Sequence, residues 1–358
     1  MFNFFIYYIC FISNFSYNKK LDILRKENKP KFREIDTGSY SFYNNTNKIN
    51  KNLILGIIQK YSIEKILPFF NSYIRANFTN CDVVMFVRYV SSDVIKYLKS
   101  INVIIYYISD NYKNVIRPTH LRWKIYSNFL TENKNKYNLI FCADVKDVIF
   151  QKDIFKYYVN HKQFLGIAIE DGTLNHYWSR HHIINYIGTE RHNIIKNKRI
   201  ICMGTIWGTL DKILEFSIII WKKLKSTGFP RSDQCVANCL FYLDNILEDY
   251  LVKNDNYGPI MTLALTKSKN IILDSKKNIL NFRGEIAAVI HQYDRKNNLR
   301  MIIINKFCPE ILKTISSVKG YSNIFEKKYI ILSILLLIVL FLRYLRIYIS
   351  KKRIKIIH

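Results

Sequence analysis

Apolar and polar stretches begin to alternate in a regular way at Leu53. Leu53 to Ile58 is an apolar run of the length of a buried strand. Ser62 to Ala76 (SIEKILPFFNSYIRA) has helical spacing, with Ser62 as N-cap and Pro68 marking a kink or a start. Val83 to Val87 predicts a second strand, Ser91 to Ser100 a helix carrying Val94, Ile95 and Leu98, and Val103 to Ile108 a third strand. Pro118 to Thr131 predicts a helix with Arg122, Trp123 and Tyr126 in its first turns, and Leu139 to Cys142 a fourth strand. Strand and helix alternate with short connections, which predicts an α/β fold with a mostly parallel, Rossmann-type sheet flanked by helices.

The second half is less regular. Phe164 to Ile169 reads as a strand that Glu170, Asp171 and Gly172 turn, and Ile200 to Met203 as a short strand ending at Gly204. Leu210 to Leu224 and Ser232 to Leu243 predict helices, and Ile286 to Ile290 a last strand ending at His291. The segment from Glu170 to Lys198, with Asn175, Trp178, His181 and His182, reads as a polar, aromatic loop, of the kind that lines a ligand pocket or that any surface loop of this composition could form.

The ends carry different patterns. Residues 1–16 hold an apolar run of signal-peptide or signal-anchor length without a preceding basic residue, and residues 17–50 read as a flexible stem. Tyr329 to Leu342 is apolar without a charge, and extension to Ile349 makes residues 329–349 long enough to span a bilayer if Arg343 and Arg346 reach the headgroups. The tail at 350–358 is basic, which places it in the cytosol by the positive-inside rule. The domain over 51–310 would then face the lumen of the endoplasmic reticulum or Golgi as a membrane-anchored glycoprotein. Asn44 and Asn77 sit in glycosylation sequons, though these also arise by chance in so Asn-rich a chain. The alternative is a buried C-terminal helix.

Composition adds limits. The 358 residues are 49% hydrophobic, enough for one large core, and the net charge is +28. The basic residues are spread along the chain together with abundant Lys, Asn, Ile and Tyr. Compositional drift therefore accounts for the charge better than a nucleic-acid footprint. Seven cysteines without a CxxC pair exclude a zinc-cluster spacing.

Chemistry gathers at strand ends, where open α/β sheets bind ligands. Asp144 and Asp147 follow the strand at Leu139 to Cys142 and offer hard oxygen ligands for Mn2+ or Mg2+. The same pattern is also that of a solvated acidic turn. His291 is a third candidate ligand or a capping residue. Gly204 in Cys202-Met203-Gly204-Thr205 admits a close ligand approach or makes a turn. Asp233, Gln234 and Asn238 sit at a helix start, as caps or as acceptor-orienting groups. Arg122 is a candidate phosphate contact or a surface residue.

Their order along the chain resembles that of a large group of glycosyltransferases with a GT-A fold that carry D-V-R-D-V-x-F-Q. Here the segment is Asp144-Val145-Lys146-Asp147-Val148-Ile149-Phe150-Gln151. The C-x-G-T strand end, the D-Q pair and the H-Q-Y-D segment follow as Cys202 to Thr205, Asp233-Gln234 and His291 to Asp294. The resemblance covers roughly residues 53 to 300 and extends more distantly to glycogenin-like and galactosyltransferase-like enzymes of the family 8 and 34 type. It departs at Cys142, where those families have the first Asp of D-x-D. Either Asp147 replaces that carboxylate, or Asp144 binds metal with His291 alone.

The resemblance implies metal-dependent transfer of a sugar from a nucleotide-sugar donor to a glycan, protein or lipid acceptor. The metal ligands would be Asp144, Asp147 and His291; Arg122, Asp144, Gly204 and Thr205 would contact the donor; Asp233 and Gln234 would be catalytic. It leans toward retention of configuration. An inverting enzyme would need a base, for which Asp233 or Asp171 could serve. The rival readings are a non-catalytic, membrane-anchored relative that binds a glycan or protein, and a phosphohydrolase using Asp144 and Asp147, for which further ligands are lacking.

Overall fold

The computed structural model describes residues 50–109, 117–158, 162–228, 230 and 232–311. The first strand, β1 (Lys51–Gln59), shows why the fold forms. Leu53 and Leu55 point into one apolar cluster while Ile54 and Ile58 point into another, so the strand is buried on both faces. That is the signature of a central strand covered by helices above and below.

The main sheet has seven strands in the order β3-β2-β1-β4-β7-β6-β8, formed by β1, β2 (Cys81–Arg88), β3 (Ile104–Tyr107), β4 (Tyr137–Ala143), β6 (Leu165–Thr173), β7 (Arg199–Thr209) and β8 (Leu251–Asn254). The pairs from β3 to β4 are parallel, as is β6 with β8; β7 runs against both of its neighbours, β4 and β6. The sheet is thus mixed, and β6 shares the direction of β4, so their C-terminal ends lie on one edge.

Helices α1 (Ile63–Ala76) and α2 (Ser92–Ser100) cover one face through Ile66, Phe69, Phe70, Val94 and Leu98. Helices α3 (Pro118–Glu132), α5 (Leu210–Ser226) and α6 (Asp233–Tyr242) cover the other through Trp123, Tyr126, Phe216, Ile220, Val236 and Phe241. A three-stranded sheet, β5 (Val148–Phe150), β12 (Val289–His291) and β9 (Ile260–Thr262), packs with α7 (Asn297–Phe307) into a separate apolar cluster. A short hairpin, β10 (Ile272–Leu273) and β11 (Ile279–Leu280), completes the strands.

Three expectations change. Glu170 to Gly172 does not turn the chain but continues β6 to Thr173. The expected loop at 170–198 is largely α4 (Tyr177–Ile195), a helix broken at Gly188, where φ is +83°. The expected C-terminal transmembrane helix is corrected: among the described residues no helix is long and apolar enough to cross a membrane. The longest, α4, has 19 residues but carries Arg180, Glu190, Arg191 and three histidines, charges that lipid would not accommodate. The membrane partner, the lumenal orientation and the secretory-membrane location rested on that helix, and no described helix supports them. The segments at 1–16, 17–49, 329–349 and 350–358 lie outside the described residues.

Candidate active site

The site forms where β4 ends. Asp144, the first residue after the strand, donates its backbone N–H to the carbonyl of Gly204 on β7 (2.8 Å). The turn then runs to Asp147, with Val145 buried beneath it, and passes directly into β5. Asp147 accepts through its backbone carbonyl from the N–H of Gln292 (2.8 Å), and His291 is paired with Val148 across the β5–β12 ladder. Two ladders therefore hold the two aspartates and the histidine together, although nearly 150 residues of sequence intervene.

The His291 ring is buried, and its Nε2 lies 3.5 Å from Asp147 Oδ1 and 3.9 Å from Asp144 Oδ2. Candidate ligand atoms of these three residues all fall within 4.8 Å of one another. Nε2 makes no hydrogen bond, an arrangement that costs free energy in a buried nitrogen unless some other partner occupies it. The room in front of it exists because residue 204 is glycine: a Cβ there would collide with the His291 ring and approach Asp144 Oδ2 to 2.8 Å. Two carboxylates and an imidazole suit a divalent cation of the Mn2+ or Mg2+ class. Cys142, two residues before Asp144, is buried in the apolar cluster under α3 and takes no part.

Charge follows this geometry. Burial works against charge on Asp147, but His291, Arg295 and Lys146 hold its pKa below the usual carboxylate range. Burial likewise opposes a charge on His291, yet Cys202 and Asp147 hold its proton well above the usual histidine range. The protein packed around Asp144 and its neighbour Asp147 push its pKa up against the pull of Arg122, although 41% of the side chain stays exposed.

Arg122 is the second centre. Its guanidinium is buried on α3 and donates to Asp144 Oδ1 (2.7 Å) through Nη1 and to Asp233 Oδ2 (2.6 Å) through Nη2. Trp123 Nε1 also donates to Asp233 Oδ2 (3.1 Å), and the backbone N–H of Gln234 donates to Asp233 Oδ1 (3.0 Å). Burial disfavours the charge on Arg122, but Asp233 and Asp144 raise its pKa above the ordinary value. Arg122 thus ties the start of α6 to the metal-facing turn. Ser232 caps that helix by accepting from the N–H of Cys235 (3.3 Å).

Helix α6 is pinned to β7 where β7 leaves the ladder with β6. Ile167 pairs with Ile206 but Ala168 pairs with Cys202, so Met203, Gly204 and Thr205 bulge out of register. Side chains of α6 take up backbone of β7 within the bulge and just before it. Asn238 accepts from Ile201 N–H (2.9 Å) and donates to Ile201 carbonyl (2.8 Å), and Gln234 Oε1 accepts from Met203 N–H (3.3 Å). Gln234 Nε2 points to Glu170 Oε1 (3.4 Å). Of the residues expected at the site, Asp144, Asp147, His291, Gly204, Arg122, Asp233 and Gln234 come together. Thr205 is fully buried opposite Ala143 and offers no surface to a ligand.

Sequence reasoning missed Glu170, a buried carboxylate on the same sheet edge, whose pKa burial raises against the pull of His291, Cys202 and Gln234. It also missed Cys202, which touches His291, and Tyr61, whose phenol is pushed up to about 12 by burial and by Asp144 and Asp147. Arg295, half-exposed and 3.7 Å from Asp147 Oδ2, is the fourth. The period-two pattern of β6 and β7 would have found Glu170 and Cys202, had β6 been carried past Ile169.

No protein-family model matches the sequence, and no curated relative does. Among solved structures, the chain is similar to the galactosyltransferase LgtC in complex with donor and acceptor sugar analogues: 12% identity, TM-score 0.44, 70% of this chain and 95% of that one. It is also similar to the bifunctional glycosyltransferase WbbM (13%, 0.48, 73% and 51%) and to the glycosyltransferase GlyE of Streptococcus pneumoniae TIGR4 (13%, 0.36, 57% and 45%). At these scores the likeness carries no weight on chemistry, which rests on the site itself.

Proposed function

We propose that the chain is a glycosyltransferase of the GT-A type that uses Mn2+ or Mg2+ to transfer a sugar from a nucleotide-sugar donor to a glycan, protein or lipid acceptor. The observation that carries this reading is the buried, unpartnered Nε2 of His291 facing Asp144 and Asp147 at the C-terminal edge of a strand. That edge is where open α/β sheets receive nucleotides. Asp144, Asp147 and His291 would hold the cation, which when bound supplies Lewis-acid stabilisation of charge on the departing diphosphate.

The chain's own residues do the positioning. Arg122 spends both Nη groups on carboxylates, which favours a clamp on Asp144 and Asp233 over the phosphate contact that the resemblance implied. The clamp keeps one Asp144 oxygen turned toward His291. Gln234 has its amide oriented by Met203 on one side and Glu170 on the other, as a group beside the anomeric carbon requires. A retaining course is supported by the partners of Asp233 and Asp171, the two candidate bases of an inverting course. Asp233 accepts from Arg122, Trp123 and Gln234, and Asp171 from Arg199, Asn256 and Thr266. Glu170 is the carboxylate that remains beside Gln234.

The test is a panel of nucleotide sugars screened with and without Mn2+, by thermal shift and by release of nucleoside diphosphate. Binding of at least one donor that depends on Mn2+ and is lost in Asp144→Asn is the expected result. No donor binding or turnover by the native chain, or an Asp144→Asn variant with unchanged nucleotide affinity, would refute the reading.

A further inference from the structure

On the side of the His291 ring away from the two aspartates, Nδ1 lies 3.3 Å from the Sγ of Cys202. Both side chains are buried, Cys202 and His291 being 1% exposed each. Cys202 and Gly204 are two residues apart on β7, and both meet the same imidazole: the thiol at its Nδ1 edge, the glycine at its Cε1 and Nε2. The ring is therefore held at one edge by the thiol and limited at the other by backbone. Glu170 is buried on β6, two residues beyond Ala168, the ladder partner of Cys202.

An imidazole that gives a metal its Nε2 lone pair must keep its proton on Nδ1, and some acceptor must receive that proton. In metal sites the acceptor is usually a carboxylate, a backbone carbonyl or water. Among the described hydrogen bonds, Nδ1 of His291 has the sulfur of Cys202. We infer that Cys202 is the positioning residue of this metal centre: its Sγ accepts the Nδ1–H of His291, its own S–H donates to the Glu170 carboxylate, and the pair fixes the tautomer and angle with which Nε2 faces Asp144 and Asp147. This rests on the metal reading of the site and adds a residue that touches neither cation nor sugar.

The chain of contacts also gives Glu170 two neighbours with different duties. One carboxylate oxygen faces the Gln234 amide, and in the proposed arrangement the thiol links the same side chain to the histidine. Cys202 thereby connects the cation-facing residues to the residue beside the reacting sugar through a single sulfur.

The experiment uses the full chain and Mn2+ alone as probe, with affinity measured by titration calorimetry on the native protein, Cys202→Ala, Cys202→Ser and His291→Ala. Loss of such an outer-shell partner costs about 10- to 100-fold in metal affinity, so Cys202→Ala is expected to weaken Mn2+ binding by that factor. Cys202→Ser, which restores an acceptor on a similar volume, is expected to recover part of it; a purely structural thiol would show no such difference between the two. A second readout is the 15N spectrum of the His291 ring with diamagnetic Zn2+ bound. It should show Nδ1 protonated in the native chain, and a shifted or broadened Nδ1 signal in Cys202→Ala. Native binding that Cys202→Ala leaves within twofold, with an unchanged ring spectrum, overturns the assignment of Cys202 alone. Failure of the native chain to bind Mn2+ overturns the metal reading, and the role of Cys202 with it.

Discussion

Arg122 holds a carboxylate at each end, and the two ends differ. Asp233 is buried and accepts three hydrogen bonds, from Arg122, Trp123 and its own helix start. Asp144 accepts one from the same guanidinium but is 41% exposed as a side chain, and its other oxygen faces an imidazole nitrogen 3.9 Å away with no hydrogen bond between them. The first end is saturated and reads as scaffold; the second is left open and reads as site. Identical residue types on one arginine are thus told apart by how many of their lone pairs the fold has already filled.

The largest effect should come from breaking the shared member. Arg122→Ala leaves Asp233 buried without its cation, which costs about 3–5 kcal/mol for a buried pair. Chemical denaturation should show a loss of that order, and a loss below about 1 kcal/mol would place the Asp233 end among the ordinary surface pairs. Gly204→Ala sharpens the open end. Its Cβ enters the space between His291 and Asp144, so Mn2+ affinity should fall more than tenfold even where the variant folds with a near-native melting point.

The pH dependence of the metal-free protein separates the ends further. His291 is raised, so its contribution to stability is full below its unfolded value of 6.5 and fades as pH climbs through the higher folded value. Asp147 is lowered, so its contribution is full above 3.8 and fades as pH falls through the lower folded value. The pair should therefore stabilise most between these values, with Asp144, Glu170, Cys202 and Arg295 as the facing groups. Denaturant midpoints against pH check this, and Asp147→Asn should flatten the profile. Mn2+ competes with the His291 proton, so its apparent affinity should rise with pH. The smallest effect belongs to Arg295→Ala: with its side chain half in solvent and 3.7 Å from Asp147, its loss should change stability by less than about 1 kcal/mol.

Strands β1, β2 and β4 were legible because they are buried on both faces and show as unbroken apolar runs. The Asp144–Asp147 turn was legible because such a run stops abruptly there. The rest was hidden for identifiable reasons. Helix α4 has no apolar stripe, its Trp178, His181 and His182 being interspersed with Arg180 and Ile183, so it read as loop. In the small sheet β12 shows as the end of the apolar run at Ile286 to Ile290, but β5 and β9 are three-residue strands that carry too little pattern to be seen. Arg122 showed only as a basic residue near a helix start; nothing local told that two carboxylates, 22 and 111 positions away, would occupy it. The period-two pattern places the Cys202 side chain on the site face of β7, but nothing in that strand tells that His291, 89 positions away, meets it there.

That bulge has a consequence for motion. Most enzyme sites sit on loops that open with little cost, but here Cys202 and Gly204, the latter the backbone partner of Asp144, belong to a strand flanked on both sides by others. Local opening free energies rise toward the global value in such central strands. Baring the thiol means separating β7 from its neighbours, so the amide of Ile206, paired with Cys142 on one side and Ile167 on the other, should exchange with solvent about as slowly as the slowest in the molecule.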